Sequence, residues 1–409
     1  MDGFPAAEIR GYLHRTASAG PYPPALDQIL SAAMMDAAQA EISTWPGYAP
    51  TPLRRLDRME RALGLRALWY KDEGERFGLG SFKALGGAYA VLRLAQRRLG
   101  ATAGAEPPLS EIRSGAHANA LADLTVVSAT DGNHGRSVAW GARMAGCRCR
   151  IYIHAGVSAG RAQALSDLGA EVVRCDGDYD DSVRQCAREA AENGWEIVSD
   201  TSFEGYVDLP RTVMAGYTVM AGEALDQIAA AGEAAPTHLV VQAGVGGVAA
   251  AVLALAWRRM GPARPRLIVV EPERAACLME SARQGRAASV GIDEETVMAG
   301  LSCGEASLIA WEILARGADD FVLIGERGVG PMMRALAEGQ AGGGEIVAGE
   351  SAVPGLIALS GLMGAKDLAR GCGLGPDSRV LCFGCEGATD PEIYRRMIAA
   401  GAAEPEAPA

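Results

Sequence analysis

The chain has 409 residues, 49% apolar and 22% charged, and its 50 acidic against 38 basic residues give a formal net charge of −12. With no basic cluster, that balance excludes nucleic acid as a natural partner, and the length suggests two domains at roughly 100–200 residues each. Nine scattered cysteines argue against a secreted disulfide framework, and the CxxC of Cys382 to Cys385 has no second half with which to make a zinc site. The opening "MDGFPAAEIRGYLHRTASAG" brings acids early and no apolar run, so it is not read as a signal peptide. No stretch approaches the roughly 20 apolar residues of a membrane helix, and a cytoplasmic protein is expected.

Residues 1–82 read as helix-rich, with turn signals at "GPYPP" (20–24) and "PGYAPTP" (46–52). "RFGLGSFKALGGAYA" (76–90) then sets one lysine, Lys83, behind an aromatic and among glycines and small residues, which read as room for a flat ligand. After an exposed connection at "TAGAEPPLSE" (102–111) the chain alternates. Strands are predicted at "LTVVSAT" (124–130), "RIYIHA" (150–155), "EVVRCD" (171–176) and "EIVSD" (196–200). Between them, helices are predicted at "RSVAWGARMAG" (136–146), "SAGRAQALSDLGA" (158–170) and "DDSVRQCAREAAENG" (180–194). The alternation resumes with "HLVVQAG" (238–244), the apolar helix "GVAAAVLALAW" (247–257), "RLIVVEP" (266–272) and, near the end, "RVLCFGCEG" (379–387). Alternating elements with continuously apolar strands imply an α/β fold with parallel sheets covered on both faces.

In open parallel sheets, ligands bind beyond the carboxyl ends of the strands. Three loops at such positions are unusual: "TDGNHG" (130–135), "AGVGG" (243–247) and "GCEGATD" (384–390). Glycines before a helix N-terminus leave backbone N–H groups open to a phosphate or carboxylate. No GxxxxGK[ST] is present, nor a GxGxxG opening a βαβ unit, which disfavours a P-loop or a dinucleotide fold. A lysine amine together with a small anion pocket suits pyridoxal phosphate, which needs a Schiff-base lysine, a phosphate cradle and a partner for its pyridine nitrogen. Lys83 would be that lysine. Gly244, Val245, Gly246 and Gly247 would hold the phosphate, and Cys385 would meet the ring nitrogen.

These blocks resemble a known group. "SFKALGGAY" is similar to the Ser-Phe-Lys block of the fold-type II pyridoxal-phosphate enzymes, the threonine dehydratase and tryptophan synthase β class, and "TDGNHG" is similar to their Ser-x-Gly-Asn-His loop. With "DTSFEGY" (200–206), "MAGLSCGE" (298–305) and "GESAVPG" (349–355), the text most resembles the 2,3-diaminopropionate ammonia-lyases, in order from about residue 40 to 395. The resemblance implies two open, twisted, mainly parallel sheets flanked by helices. A large domain would comprise 1–83 plus 211–409, and a small mobile domain 84–210. It also implies that Phe82 packs beside the Schiff base, that Asn133 hydrogen-bonds the ring hydroxyl, and that the protein is a homodimer.

Two aspartates bear on the substrate. The dehydratases carry a small uncharged residue where this chain has Asp131. A carboxylate there would repel the carboxylate of serine or threonine, yet suits a diamino acid with a second ammonium. Asp200 is expected at the same mouth. In the reaction so implied, Lys83 takes the α-proton of the L-isomer and Asp131 that of the D-isomer. The substrate carboxylate would rest on Thr130 and the N–H groups of Gly132 to His134, the His134 side chain holding the loop. The expected products are pyruvate and two ammonia. The alternatives are a dehydratase for another β-substituted amino acid, a racemase, and a non-catalytic pyridoxal-phosphate sensor. Asp131 as a plain helix cap and Cys277 paired with Cys303 also stay open.

Overall fold

The computed structural model describes residues 4–130 and 132–400. In chain order its strands are β1 (Ile9–His14), β2 (Leu53–Arg55), β3 (Ala67–Asp72), β4 (Thr125–Ala129), β5 (Arg148–Ile153), β6 (Glu171–Arg174), β7 (Glu196–Ile197), β8 (His238–Gln242), β9 (Arg266–Pro272), β10 (Asp320–Ile324) and β11 (Arg379–Gly384). The helices that bear on the site are α1 (Lys83–Ala103), α2 (Asn133–Ala145), α3 (Asp208–Ala230), α4 (Gly247–Met260), α5 (Cys277–Gln284) and α6 (Pro354–Gly364).

The chain forms two compact units. One holds the described residues of Met1–Gln28, Pro50–Glu75 and Met220–Ala409, and the other holds Ile29–Ala49 and Arg76–Val219. Residues 29–49, 76–83 and 211–219 thus group with the inserted unit, whereas the sequence reading set them in the terminal one.

The terminal unit is built on a seven-stranded sheet of order β1-β10-β9-β8-β11-β3-β2. Its inner strands run parallel, and the edge strands β1 and β2 pair antiparallel with β10 and β3. β8 and β10 are buried at every residue, which fits their apolar middles without alternation. Helices α4 and α6 both pack against β8. The core there includes Val240, Ile268, Leu356, Ile357 and Val380. The inserted unit has a four-stranded parallel sheet, β6-β5-β4-β7.

Residues 1–82 are a correction, since they contribute three strands as well as helices. β3 escapes a pattern search because "ALWYKD" ends on two charges. Lys71 is nonetheless fully buried, ion-paired to Glu223 at 2.7 Å and donating to the Thr51 carbonyl at 2.7 Å and to Gln227 at 2.9 Å. A buried ammonium is tolerated when it is this fully bonded. β10 also went unread, as a five-residue run carries too little periodicity. No described helix is long and apolar enough to cross a membrane.

Candidate active site

In the inserted unit, Lys83 opens α1, and its backbone N–H reaches the Ser81 hydroxyl at 3.3 Å. The glycines after it serve helix packing. A Cβ on Gly86 would collide with the Tyr217 ring, and one on Gly87 would come within 2.7 Å of the Ser137 hydroxyl. Their smallness therefore lets α2 and α3 approach α1, and it is not explained by room for a flat ligand. The Lys83 ammonium is ion-paired to Asp200, with the two side chains 21% and 18% exposed. It stands 5.5 Å from the centroid of Phe82 and 5.9 Å from that of Tyr217, and these rings lie 4.7 Å apart at 60°.

Asp200 follows the end of β7, where three side-chain bonds fix the backbone. Tyr206 Oη donates to the Ile197 carbonyl at 2.8 Å and accepts from the Ser199 N–H at 3.0 Å. His134 Nε2 donates to the Val198 carbonyl at 2.9 Å. That bond places the ring hydrogen on Nε2 and leaves Nδ1 3.9 Å from the Asp200 carboxylate, without a hydrogen bond among the described residues. Burial by itself would raise the Asp200 pKa. The Lys83 charge, then His134 and the Lys83 hydrogen bond outweigh it, and the net shift is downward. Burial lowers the His134 pKa against the opposing pull of Asp200, so the imidazole is neutral at neutral pH.

Thr130 directly follows β4, before α2. Its Oγ1 accepts from the N–H groups of Gly132 at 3.2 Å and Gly135 at 3.4 Å, so the hydroxyl read as a substrate ligand closes the helix start. Asn133 is the first residue of α2. Asp131 lies outside the described residues.

In the terminal unit, Ala243 to Gly246 join β8 to α4, which Gly247 opens. Gly246 has φ +97°, a left-handed conformation that a side chain strains. A Cβ there would sit 3.1 Å from both Leu278 and Leu314, and one on Gly244 would sit 2.7 Å from Cys303 Sγ. The loop has to stay bare, and it delivers the open N–H groups of the α4 N-terminus. Beneath it, fully buried Glu271 accepts the Leu278 and Met279 N–H groups, each at 2.7 Å. Cys277 donates its S–H to the Gly244 carbonyl at 3.5 Å. Burial pushes the Glu271 carboxyl up to about 8, against these hydrogen bonds. All nine cysteines are free thiols, Cys277 and Cys303 included. Cys385, just past β11, takes the Gln242 side-chain N–H at 3.2 Å.

These residues fit pyridoxal phosphate. The glycine loop is an anion cradle that a Cβ would fill, Lys83 offers a primary amine, and Cys385 offers a neutral thiol whose sulfur already accepts a bond. Lys83, Phe82, Asp200 and His134 come together within the inserted unit. Gly244 to Gly247 and Cys385 belong to the terminal one. Sequence reasoning missed Tyr217, Tyr206, Gln242 and Glu271. The last two had a signal: each is a polar residue near the end of a strand whose middle is apolar, "HLVVQ" and "RLIVVEP".

The family described as pyridoxal-phosphate dependent enzyme matches residues 44–385. The diaminopropionate ammonia-lyase of Escherichia coli K12 is 38% identical over 357 residues, 86% of this chain and 88% of that protein. The crystal structure of the selenomethionine-incorporated holo form of the Escherichia coli enzyme aligns with a TM-score of 0.88 at 34% identity, over 98% of this chain and 99% of that one. The same enzyme in complex with an aminoacrylate–pyridoxal-phosphate azomethine reaction intermediate aligns with a TM-score of 0.85 at 33% identity, over 98% and 99% of the two chains.

Proposed function

Because the chain belongs to the pyridoxal-phosphate dependent enzymes, and within them to the diaminopropionate ammonia-lyases, we propose that it converts 2,3-diaminopropionate and one water to pyruvate and two ammonia. The carrying observation is the Lys83–Asp200 ion pair. Asp200 keeps its charge well below neutral pH and already holds an ammonium. A diamino acid brings a second ammonium that can take the place of Lys83 on that carboxylate. Serine or threonine brings a hydroxyl, and would leave Asp200 facing the substrate's own carboxylate.

Pyridoxal phosphate would be held by Lys83, Phe82 and Asn133 and by Gly244, Val245, Gly246, Gly247 and Cys385. When bound, it supplies the electron sink that makes the substrate's α-proton removable. Lys83, once Asp200 holds the substrate ammonium, is the amine that takes this proton from the L-isomer. Asp131, by its place in "TDGNHG", is the proposed base for the D-isomer. The backbone N–H groups at the start of α2 orient the substrate carboxylate, and the Thr130 hydroxyl keeps that turn closed. His134, neutral and anchored on the Val198 carbonyl, holds the strand end beside Asp200. The assembly is proposed to be a cytoplasmic homodimer. Light scattering at twice the 42.4 kDa chain mass supports the dimer, and a monomer at working concentration removes it.

The deciding assay measures pyruvate and ammonia from L- and D-diaminopropionate, L- and D-serine and L-threonine. Two ammonia per pyruvate, with kcat/KM for diaminopropionate about 100-fold above that for serine, is the expected result; such a ratio is about 2.7 kcal/mol. A preference for serine with one ammonia per pyruvate would make this a dehydratase. Interconversion of isomers without pyruvate would make it a racemase.

A further inference from the structure

We infer that Phe77 is a positioning residue for Lys83: its ring, seated against Trp45 and Trp140, fixes the turn through which the chain enters α1, and so fixes where the Lys83 amine meets Asp200. The inference rests on the reading of Lys83 given above, and concerns only residues of the inserted unit.

Among the described residues, Phe77 is the one non-glycine residue with a positive φ, at +52° with ψ +19°. In that left-handed region a Cβ crowds the following carbonyl oxygen, and a bulky residue there is a true outlier. The same turn has two more left-handed residues, at φ +68° and +76°, and these are Gly78 and Gly80. Glycine would relieve position 77 equally well. Core filling is a weak reason for phenylalanine, because the side chain is only half-buried. Backbone strain of this kind persists where the surroundings over-determine it. What over-determines it here is the ring.

The Phe77 ring centroid lies 5.0 Å from that of Trp140, 5.7 Å from Trp45 and 6.3 Å from Tyr48. Trp45 meets Trp140 edge-on at 5.5 Å, and is itself buried with Nε1 donating to the Glu41 carboxylate at 2.9 Å. Tilted and edge-on contacts at these separations are favourable for aromatic rings. Trp140 belongs to α2, whose first turn carries His134. Both partners of the Lys83–Asp200 pair are thereby tied to one helix. His134 holds the Val198 carbonyl, two residues before Asp200, and Trp140 holds Phe77, six residues before Lys83. Direct packing fixes the body of α1 on α2, with the Ser137 hydroxyl accepting from the Ala88 N–H at 2.8 Å. The first residue of a helix has no helical turn before it, and its direction is set by how the chain enters, as in a hydrophobic staple. Between Phe77 and Lys83 the entry is short and closed, with the Leu79 N–H on the Arg76 carbonyl at 2.9 Å and the Lys83 N–H on the Ser81 hydroxyl at 3.3 Å. A shift at Phe77 therefore passes on to Lys83.

The test uses the small number of lysines. The chain has three: fully buried Lys71 in the terminal unit, Lys83, and exposed Lys366. The full-length chain with ¹³C-labelled lysine, free of cofactor, is compared by NMR at the lysine ε-carbons in wild type, Phe77→Ala, Phe77→Gly, Phe77→Tyr and Asp200→Asn. The kcat on 2,3-diaminopropionate is then measured with cofactor and substrate saturating. Phe77→Ala and Phe77→Gly are each expected to move the Lys83 resonance in the direction that Asp200→Asn moves it, with Lys71 unmoved. Each should lower kcat about tenfold, or about 1.4 kcal/mol. Phe77→Tyr, which keeps the ring, should recover most of both. A moved resonance without a loss of kcat, a loss of kcat without a moved resonance, or neither change would overturn the proposal. So would a wild-type Lys83 resonance in Phe77→Gly beside a moved one in Phe77→Ala, since the backbone turn and not the ring would then set the lysine. If Lys71 moves together with Lys83, or if neither small variant folds by circular dichroism, Phe77 is a residue of the fold and the assignment falls. Wild type in which Lys83 forms no Schiff base with added pyridoxal phosphate would bring down the reading of Lys83 itself. Wild-type turnover with indifferent Phe77 variants would end only this inference.

Discussion

The surroundings of Lys83 and those of Gly246 are built on opposite plans. Around Lys83 the working groups are an ammonium, a carboxylate and an imidazole, with the ion pair about one-fifth exposed. Such groups can change partners when a charged substrate arrives. Around Gly246 the working groups are backbone N–H donors. The side chains behind them, Gln242, Glu271 and Cys277, are buried, and the first two are tied by short hydrogen bonds. Exchangeable charge suits chemistry, and fixed dipoles suit holding. The contrast implies that changes in the first region act on turnover and changes in the second on cofactor affinity.

Lys83→Ala should give the largest effect. Loss of the amine is expected to lower kcat at least about 1,000-fold, close to 4 kcal/mol. The Kd for cofactor, read by fluorescence, should move far less, because the glycine loop stays intact. A variant that lost the cofactor and kept its turnover when saturated with it would break the comparison outright. Asp200→Asn comes next, with about a 100-fold loss in kcat on diaminopropionate. An equal loss on serine would deny that Asp200 serves a second ammonium. The same variant removes the charge that opposes burial at His134, so the His134 pKa should fall further, as ¹H–¹⁵N NMR of the imidazole can show.

Gly246→Ala sharpens the other side of the comparison. The left-handed backbone at φ +97° strains any side chain by about 1–2 kcal/mol, and the added methyl would press on Leu278 and Leu314. The expected result is a cofactor Kd raised about tenfold with kcat at saturation nearly unchanged. A fall in kcat at saturating cofactor would mean that the loop does more than hold.

What was legible in the sequence follows the same division. Lys83 and the glycine loop stand out because their chemistry is written in consecutive residues, and the strands in "HLVVQAG" and "RLIVVEP" stand out because burial makes their central residues apolar. The partner of Lys83 was harder to read. Asp200 lies 117 residues away, and only the fold brings it there. Tyr206 and Tyr217 act through a hydroxyl bridge to main-chain atoms and through ring packing, neither of which has a sequence spacing. β3 was hidden by Lys71 and Asp72, charges that made sense only once Glu223, Thr51 and Gln227 were seen around the lysine.

Glu271→Gln should have the smallest effect on turnover and a distinct effect on stability. The native carboxyl titrates near 8, against an ordinary glutamate value of 4.5, with burial as the main cause. Between those values the folded protein holds a proton that the unfolded chain releases. Stability should therefore fall as pH rises from about 4.5 to 8, since the unfolded state binds fewer protons there. Glutamine cannot titrate, so the variant should lose this slope. It also replaces one of the two oxygens that accept from Leu278 and Met279 with an NH₂ group, which costs about 1–3 kcal/mol at the pH where the acid is neutral. Urea unfolding of both proteins at pH 5, 6, 7 and 8 should show the gap between them narrowing as pH rises. Because the residue touches no reacting atom, kcat on diaminopropionate should stay within a few-fold. A gap that stayed constant from pH 5 to 8 would mean that the carboxyl is ionised throughout, and the support beneath the glycine loop would then be charged like the Lys83 region.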